Sequence, residues 1–194
     1  MKLITTLIFA LGTLLSLSEN PAPVKVNITE SSVTWHASKV TGSHFGKVPI
    51  SSANLDYADG KITGGTFEMD MKNLTVEDIT DAGSNQKLTG HLKSDDFFSV
   101  EKFGKSTLKI KSVKSTGGNN HEITGDLTIK GITKPVTFPA TVIASNGTIT
   151  TTAEIKFDRT HYDIKYRSGS YFEDLADKLI YDEVKLDVKL VATP

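Results

Sequence analysis

The stretch at residues 122–144 reads E-I-T-G-D-L-T-I-K-G-I-T-K-P-V-T-F-P-A-T-V-I-A and decides the fold. Its first half places Ile123, Leu127 and Ile129 on one face and puts polar side chains between them. Turn-forming residues at 131–135 separate this half from a second alternating run. Alternation with a period of two gives a strand one dry face and one wet face, which is typical of an antiparallel sheet.

The same alternation recurs along the chain, and it predicts about eight strands of roughly ten residues each. Asn146-Gly147 lies between two of the runs and is a strong signal for a hairpin turn. Eight such strands close most simply into a barrel, because closure leaves no unpaired edge. A barrel of this size is just wide enough to be filled by side chains or to hold one small ligand. The other runs lie at 24–28, 33–37, 67–71, 108–110, 149–157 and 184–192.

Residues 87–103, K-L-T-G-H-L-K-S-D-D-F-F-S-V-E-K-F, interrupt the strand pattern. Leu88 and Leu92 are four residues apart, so a helical turn places them on a common face. Ser94 is a candidate N-cap for a second helical piece, because its hydroxyl can accept a hydrogen bond from a free N–H of the first turn. The segment therefore predicts a short helical plug that lies across one end of the sheet.

Phe97 and Phe98 follow in the same segment, and at least one of two adjacent aromatic rings must enter an apolar interior. The plug then either closes the core only or also borders a cavity. Residues 160–179 form the other long stretch without strand alternation, and their aromatic side chains argue against disorder. This second segment is a candidate lid or rim.

Residues 1–18 have the pattern of a secretory signal peptide, in which Lys2 precedes an apolar run and small residues precede a cut at Glu19. Residues 19–194 would then form one exported domain. No other stretch is long and apolar enough to span a membrane, so no transmembrane segment is expected after the signal is removed. The formal net charge is −1 with both signs interspersed, which predicts no nucleic-acid partner.

The sequence predicts no enzyme and no catalytic residue. It contains no cysteine, no Gly-x-Ser-x-Gly motif, no glycine-rich phosphate loop and no His-Glu-x-x-His motif. Its five histidines lack the close spacing of metal ligands on one strand or helix. The pairs Asp95-Asp96 and Glu173-Asp174 are interpreted as charges at helix starts. We therefore expect neither a metal ion nor a cofactor.

Several segments resemble the motifs of one known family, and together they extend over nearly the whole chain after residue 18. They are S-V-T-W at 32–35 with Lys39 and G-S-H at 42–44, G-G-T-F at 64–67 with Asp70, H-L-K-S-D-D-F-F at 91–98, I-T-G-D-L-T-I-K-G-I-T-K-P-V at 123–136 and F-D-R at 157–159. On these residues the chain is similar to the YceI family of lipocalin-like periplasmic proteins, which bind polyisoprenoid-type lipids. Departures from the family pattern are Phe103-Gly104, Leu108 and Asp163.

The resemblance implies an all-β fold, an extended eight-stranded antiparallel lipocalin-like barrel with a short helical insertion and a long apolar lumen. It also implies a carrier in the periplasm of a Gram-negative bacterium that holds a polyisoprenoid, an isoprenoid quinone or a similar long-chain lipid without covalent chemistry. Each five-carbon prenyl unit would gain about 4 kcal/mol gross on leaving water, so such a ligand needs a long dry slot and few polar anchors. The resemblance leaves open whether the protein forms a homodimer.

Candidate ligand contacts are inward-facing apolar residues and a few polar residues at the mouth of the barrel. Arg159 would either meet a head group or pair with a carboxylate of the fold. The alternative function is a barrel filled by side chains, which acts as a stress-response or interaction module without a ligand. An outer-membrane barrel is not favoured, because the sequence shows no aromatic girdles. The apolar candidates are Trp35, Phe67, Met69, Phe97, Phe98, Leu127, Phe138, Ile155 and Phe157, and the polar candidates are His44, His91, Arg159 and Tyr162.

Overall fold

The computed structural model describes residues 22–58 and 61–193, and in these residues ten antiparallel strands form a single sheet. The predicted signal peptide, residues 1–18, lies outside the described residues. The strands are β1 (Ala22–Val26), β2 (Ser32–Lys39), β3 (Gly42–Lys47), β4 (Ile50–Ala58), β5 (Lys61–Asp70), β6 (Lys105–Gly117), β7 (Asn120–Ile129), β8 (Ile132–Ser145), β9 (Thr148–Asp158) and β10 (Ile180–Thr193).

The sheet closes on itself as an eight-stranded barrel. Neighbouring strands follow the order β1-β4-β5-β6-β7-β8-β9-β10, and β1 pairs with the end of β10 to complete the ring. β1 and β2 share one place in the ring, because β1 pairs with the last residues of β10 and β2 pairs with its earlier residues. β3 pairs with the other side of β2. The predicted all-β fold, an eight-stranded antiparallel barrel with a helical insertion, is confirmed.

Two hairpins have two-residue turns that match the right-handed twist of their strands. Lys130 and Gly131 join β7 to β8 with φ of 51° and 73°, and Asn146 and Gly147 join β8 to β9 with the same two values. Positive φ at both central residues is the type I′ geometry. The predicted Asn146-Gly147 turn is confirmed, whereas Pro135, which was expected in the first turn, lies within β8.

One α-helix, α1 (Ala82–Lys93), lies between β5 and β6 in the described part of the chain. Asp81 caps its start, because the Asp81 Oδ1 accepts a hydrogen bond from the Ser84 N–H at 2.8 Å. Ser94 caps its end, where the Ser94 hydroxyl donates to the His91 carbonyl oxygen at 2.8 Å. The prediction that Ser94 starts a second helix is wrong, because the chain turns back directly after α1.

The loop that precedes α1 covers the outer edge of β3. The N–H groups of Thr75 and Glu77 donate to the carbonyl oxygens of Lys47 and Phe45, both at 2.9 Å. A covered edge cannot pair with another chain. Short 3₁₀ turns occur at Met71–Asn73, Arg159–Tyr162 and Ala176–Lys178, so Met71 begins a turn although its alternation placed it in a strand.

The plug is formed mainly by the loop after α1. No residue of α1 is buried, but Leu88 and Leu92 are half-buried against one apolar cluster, which confirms their common face. Phe97 and Val100 in the following loop are 8% and 3% exposed. The helix therefore acts as a partial cover, and the residues after it close the apolar interior.

Candidate functional site

The barrel lumen contains two apolar chambers, which we call the inner chamber and the outer chamber. The inner chamber has a cavity volume of about 80 Å³. The outer chamber has a cavity volume of about 100 Å³. Since a single water molecule needs only about 10–15 Å³ of such volume, both chambers are larger than packing gaps.

The two chambers are adjacent and share part of their wall. The shared residues come from five different strands, β2, β5, β6, β7 and β10, so the junction is surrounded by side chains rather than bounded by one strand. Both chambers therefore lie against the same five side chains. The shared residues are Val33, Met69, Ser106, Leu127 and Leu186.

A third space with a cavity volume of about 70 Å³, which we call the mouth, lies between α1 and β2. Its wall includes the exposed Lys39, and none of its residues lines the inner chamber. The lumen thus opens beside α1, and the inner chamber lies further from this opening than the outer chamber. The residues that the mouth shares with the outer chamber are Trp35, Ala37, Leu92, Phe97 and Ile180.

All nine apolar residues that the sequence proposed as ligand contacts line these chambers. Met69 and Leu127 belong to the shared wall. Contact between any of the nine and a ligand stays a prediction. Those that line only the inner chamber are Phe67, Phe138 and Ile155, and those that line only the outer chamber are Trp35, Phe97, Phe98 and Phe157.

Polar residues that face inward are the lumen contacts that the sequence reasoning missed. Ser106 and Thr151 both line the inner chamber, and they are 6% and 5% exposed. Thr151 lies on β9 between Ile149 and Ala153 at a spacing of two, so the strand period already predicted its direction. Thr151 was absent from the candidate ligand contacts only because those on the strands were chosen among apolar residues.

His44 lines the mouth, and its contact with a ligand stays a prediction. Its Nδ1 is 2.7 Å from the Asp78 Oδ2, and the Asp78 Oδ1 accepts a hydrogen bond from the Phe45 N–H at 3.1 Å. Burial disfavours the charged Asp78, but the hydrogen bonds from His44 and Phe45 outweigh burial and lower the pKa of Asp78 below its usual value. His44 therefore joins β3 to the loop before α1, beside the mouth.

His91 does not line the mouth or either chamber. Its Nε2 is 2.9 Å from the Asp96 Oδ2, and its ring packs edge-on against Phe97 and Tyr166 with centroids 5.0 Å and 4.7 Å away. The side chain therefore supports a wall residue, Phe97, instead of facing the lumen. The prediction that His91 lies at the mouth is wrong because this aromatic contact fixes its ring.

Arg159 lines the outer chamber, but the fold engages its guanidinium group. Only 3% of the side chain is exposed, and the guanidinium donates five hydrogen bonds, one of them to the Asp182 Oδ1 at 3.1 Å. Burial lowers the pKa of Arg159, which the nearby carboxylate of Asp182 opposes. Of its two predicted roles, the structure shows pairing with a carboxylate. The other four acceptors are the carbonyl oxygens of Ile164, Tyr166, Ile180 and Tyr181.

Tyr162 is not at the mouth, and that placement is wrong. The 3₁₀ turn Arg159–Tyr162 directs its ring inward, where it packs edge-on against Phe157 at 5.5 Å between centroids and is 1% exposed. Burial raises the pKa of Tyr162 to about 12. Tyr162 is therefore a neutral core residue beneath the wall of the outer chamber.

The described residues offer few groups for other chemistry. Among residues 22–58 and 61–193, no cluster of three or more His, Asp or Glu side chains is placed to hold a metal ion. Histidine–carboxylate contacts such as His44–Asp78 and His91–Asp96 are isolated pairs. Within the same residues, no helix has the length and apolar character needed to cross a bilayer.

Sequence comparison identifies the domain that forms this lumen. Residues 24–192 match the YceI-like domain, which includes nearly all the described residues. The chain belongs to the YceI-like family. This confirms the resemblance predicted from the sequence motifs.

YceI-like relatives are similar over about half of their length. The UPF0312 protein of Pseudomonas putida strain W619 is 35% identical over 101 residues, which are 51% of this chain and 52% of that protein. Protein YceI of Escherichia coli O17:K52:H18 strain UMN026 is 36% identical over 94 residues, which are 45% and 49% of the two chains. The chain thus spans about half the length of the curated relatives that it matches.

Several solved structures share the fold at low sequence identity. Burkholderia cenocepacia BcnA matches with a TM-score of 0.72 and 23% identity, over 87% of this chain and 100% of that chain. Campylobacter jejuni YCEI protein matches with a TM-score of 0.60 and 18% identity, over 100% and 99%. A polyisoprenoid binding domain from Saccharophagus degradans, implicated in plant cell wall breakdown, matches with a TM-score of 0.63 and 12% identity, over 89% and 98%.

Proposed function

We propose that this protein is a binding protein without catalytic activity, which holds a polyisoprenoid, an isoprenoid quinone or a similar long-chain lipid in its lumen. We further propose that it is exported and carries this lipid in the periplasm of a Gram-negative bacterium. The observation that carries the proposal is the pair of adjacent apolar chambers, with the mouth beside α1.

The chemistry of the chamber walls favours a long apolar ligand. Arg159 is the one charged side chain among the described residues that line the two chambers, and its hydrogen bonds are already made within the fold. Each prenyl unit that enters gains about 4 kcal/mol gross from leaving water. Several units supply more than binding needs, even after the cost of ordering the chain. Chamber walls with few polar groups can therefore bind such a lipid through burial of its apolar chain alone.

The choice of ligand class draws on one structural neighbour. The domain of Saccharophagus degradans that binds polyisoprenoid has the same fold. The alternative function, a barrel filled by side chains, would leave no chambers of this size. An unfilled lumen lined by adaptable residues such as Met69 suits a ligand that bends and varies in length.

Extraction of the native protein tests the proposal. Protein purified without detergent from the periplasm of a Gram-negative host is extracted with organic solvent, and the extract is analysed by mass spectrometry. We expect an isoprenoid-type lipid in an amount that approaches one per protein. An extract without lipid from correctly folded protein would contradict the proposal.

A matched pair of variants shows whether the lipid occupies the lumen. Ala153 lines the inner chamber, so Ala153→Leu fills part of it and should reduce the bound lipid severalfold. Thr152 is the next residue and points outward, so Thr152→Leu adds the same side chain without filling the lumen and should leave the lipid content unchanged. Equal lipid loss in both variants would indicate binding elsewhere.

Export is tested separately on the full chain. Cell fractionation should place the protein in the periplasmic fraction, and sequencing of its N-terminus should begin at Glu19 if residues 1–18 are removed. Recovery of the intact chain from the cytoplasm would contradict the proposed location while leaving the lipid-binding proposal in place.

A further inference from the structure

Three large apolar side chains are exposed beside the mouth. Val40, Tyr171 and Phe172 are 51%, 52% and 50% exposed. Apolar residues scattered singly over a surface are ordinary, whereas a group of them in one place marks a surface where a partner binds. We call these three residues the apolar rim.

Val40 lies at the edge of the mouth, in the turn that joins β2 to β3. It directly follows Lys39, which lines the mouth. The Val40 N–H donates to the Leu179 carbonyl oxygen at 3.1 Å, and this bond connects the turn to the residue before β10. The backbone of Val40 is therefore held in place, while about half of its side chain stays in contact with water.

Tyr171 and Phe172 are held near the mouth by the segment that precedes β10. Ile180 lines the mouth, and its N–H donates to the Arg167 carbonyl oxygen at 2.9 Å. The next residue, Ser168, is fully buried, and its carbonyl oxygen accepts hydrogen bonds from the N–H groups of Tyr171 and Phe172 at 3.1 Å and 3.0 Å. The two rings therefore lie on a turn that the fold fixes beside the mouth.

The surface around the mouth has no excess of either charge. Lys39, residues 87–96 and residues 163–179 together contain as many Lys and Arg residues as Asp and Glu residues. A strongly charged partner gains little from such a surface, because long-range attraction needs an excess of one sign. The apolar rim is therefore the feature of this surface that can bind a partner.

We propose that the apolar rim docks on the surface of a lipid bilayer, with the mouth turned towards the membrane. Exposed aromatic and aliphatic side chains suit this boundary, because they bury their apolar area at the depth of the lipid head groups. A long-chain lipid is nearly insoluble in water, so a mouth held against the bilayer takes up the lipid without passing it through water. The inference rests on the proposed lipid-binding function, and it adds the membrane as the partner of the mouth.

Sedimentation with vesicles of phosphatidylcholine, alone or mixed with phosphatidylglycerol, tests this docking surface. The proteins are wild type, the rim variant Tyr171→Ser/Phe172→Ser and the control variant Ile28→Ser/Ile143→Ser. Ile28 and Ile143 are 41% and 48% exposed, and they lie beside the last residues of β10 and within the last residues of β8, away from the mouth. All three proteins have the same residues 1–18, so any binding through these residues cancels in the comparison.

We expect the rim variant to bind both kinds of vesicle about tenfold more weakly than wild type, because two half-exposed rings are lost. The control variant should bind like wild type, and added salt should change the binding little. Both variants should melt near the wild-type temperature, since the replaced side chains are exposed.

Uptake of a dansyl-labelled geranylgeranyl lipid from the same vesicles gives a second readout. The sample is diluted, the vesicles are sedimented, and the labelled lipid that stays with the protein is measured over time. The rim variant should take up the lipid more slowly than wild type and reach the same final amount, because the rim acts before the lipid enters the lumen.

Four outcomes would overturn the docking surface. Equal vesicle binding by the rim and control variants would mean that the rim does not contact the bilayer. Binding that requires phosphatidylglycerol and disappears at high salt would assign the contact to charged groups. A smaller final amount of lipid at an unchanged rate would make Tyr171 and Phe172 ligand contacts. Absence of vesicle binding by wild type would exclude the bilayer and leave the rim to a protein partner.

These outcomes leave the proposed function in place. Lipid binding fails only if the folded wild-type protein yields no lipid on extraction and takes up no labelled lipid. In that case the docking surface loses its purpose as well, even if the rim binds vesicles.

Discussion

Replacement of Arg159 by methionine distinguishes a structural cation from a ligand anchor. The Arg159 guanidinium connects the start of β10 to the loop at residues 160–179 through carbonyl oxygens on both sides. Its charge is balanced by Asp182, whose Oδ2 also accepts hydrogen bonds from the hydroxyls of Ser168 and Ser170 at 2.9 Å and 2.8 Å. Methionine has a comparable length and is apolar, so Arg159→Met removes these bonds while retaining much of the packing.

The expected loss is large because Arg159 is buried and Asp182 is half-buried. Side-chain exposure is 3% for Arg159 and 19% for Asp182. Removal of one partner from a buried ion pair typically costs about 3–5 kcal/mol, because the other charge and the former acceptors are left without partners. This is a substantial part of a total stability of about 5–15 kcal/mol. In a domain of this size, the melting temperature should fall by about 6–20 °C.

Urea unfolding of the lipid-free protein, followed by Trp35 fluorescence, measures the loss. Arg159→Lys should fall between wild type and Arg159→Met, because an ammonium keeps the charge but cannot reach five acceptors. Lys102→Met is the matched control. It breaks the Lys102–Asp95 pair, whose side chains are 65% and 71% exposed, and should leave the unfolding midpoint near that of wild type.

Two results would refute this reasoning about Arg159. In the first, Arg159→Met loses less than about 1 kcal/mol and yet binds lipid poorly, which would make the residue a ligand contact. In the second, Arg159→Met and Lys102→Met are equally stable, which would mean that burial does not strengthen the network. Lipid binding measured at a temperature where both variants are folded separates these cases.

Three further predictions concern the contact between β3 and the loop before α1, the pH dependence and the core. Gly46→Ala should destabilise the protein by about 1–3 kcal/mol or more in urea unfolding, because a Cβ there would overlap the Thr75 carbonyl oxygen. Since hydrogen bonds lower the folded pKa of Asp78, the charged form stabilises the protein above the usual pKa of 3.8, and this stabilisation is lost as the pH falls through the lower folded pKa. Asp78→Asn should therefore be less stable near neutral pH and lose less stability on acidification than wild type. Phe138→Ala should cost about 3–5 kcal/mol in urea unfolding and reduce the bound lipid, and an unchanged lipid content in that variant would show that Phe138 packs the core without contacting the lipid.

The number of barrel strands could be predicted from the sequence, but partly through two errors that cancel. β1 and β2 appeared as separate runs, although they share one position in the ring. β4, which fills a full position, was missed. Its nine residues carry polar side chains at most places, and only Ile50 and Leu55 are buried, so its alternation is weak. β4 is a strand because its backbone pairs with β1 and β5. The sequence of one segment does not reveal such pairing partners.

The walls of the site were predicted better than its polar groups. Apolar candidates lie on regular strands or in the loop after α1, where the direction of a side chain follows from the period or from adjacent aromatic rings. His91 and Tyr162 lie at the end of α1 and in a 3₁₀ turn, where ring stacking decides their direction. Irregular backbone has no period, so the sequence alone cannot determine whether such residues face the lumen or the core.

The empty volume of the lumen depends on register, which a single strand does not reveal. Ala153 on β9 lies directly beside Ala140 on β8 and Val188 on β10. Three small side chains in one row across the wall leave room that larger residues elsewhere on the same strands do not fill. Each strand read alone shows an ordinary apolar stripe, and the same residues in another register would pair small with large and pack solid. The capacity to hold a ligand is therefore a property of neighbouring strands together, and exchange of bulk between positions of this row should change lipid content more than it changes the fold.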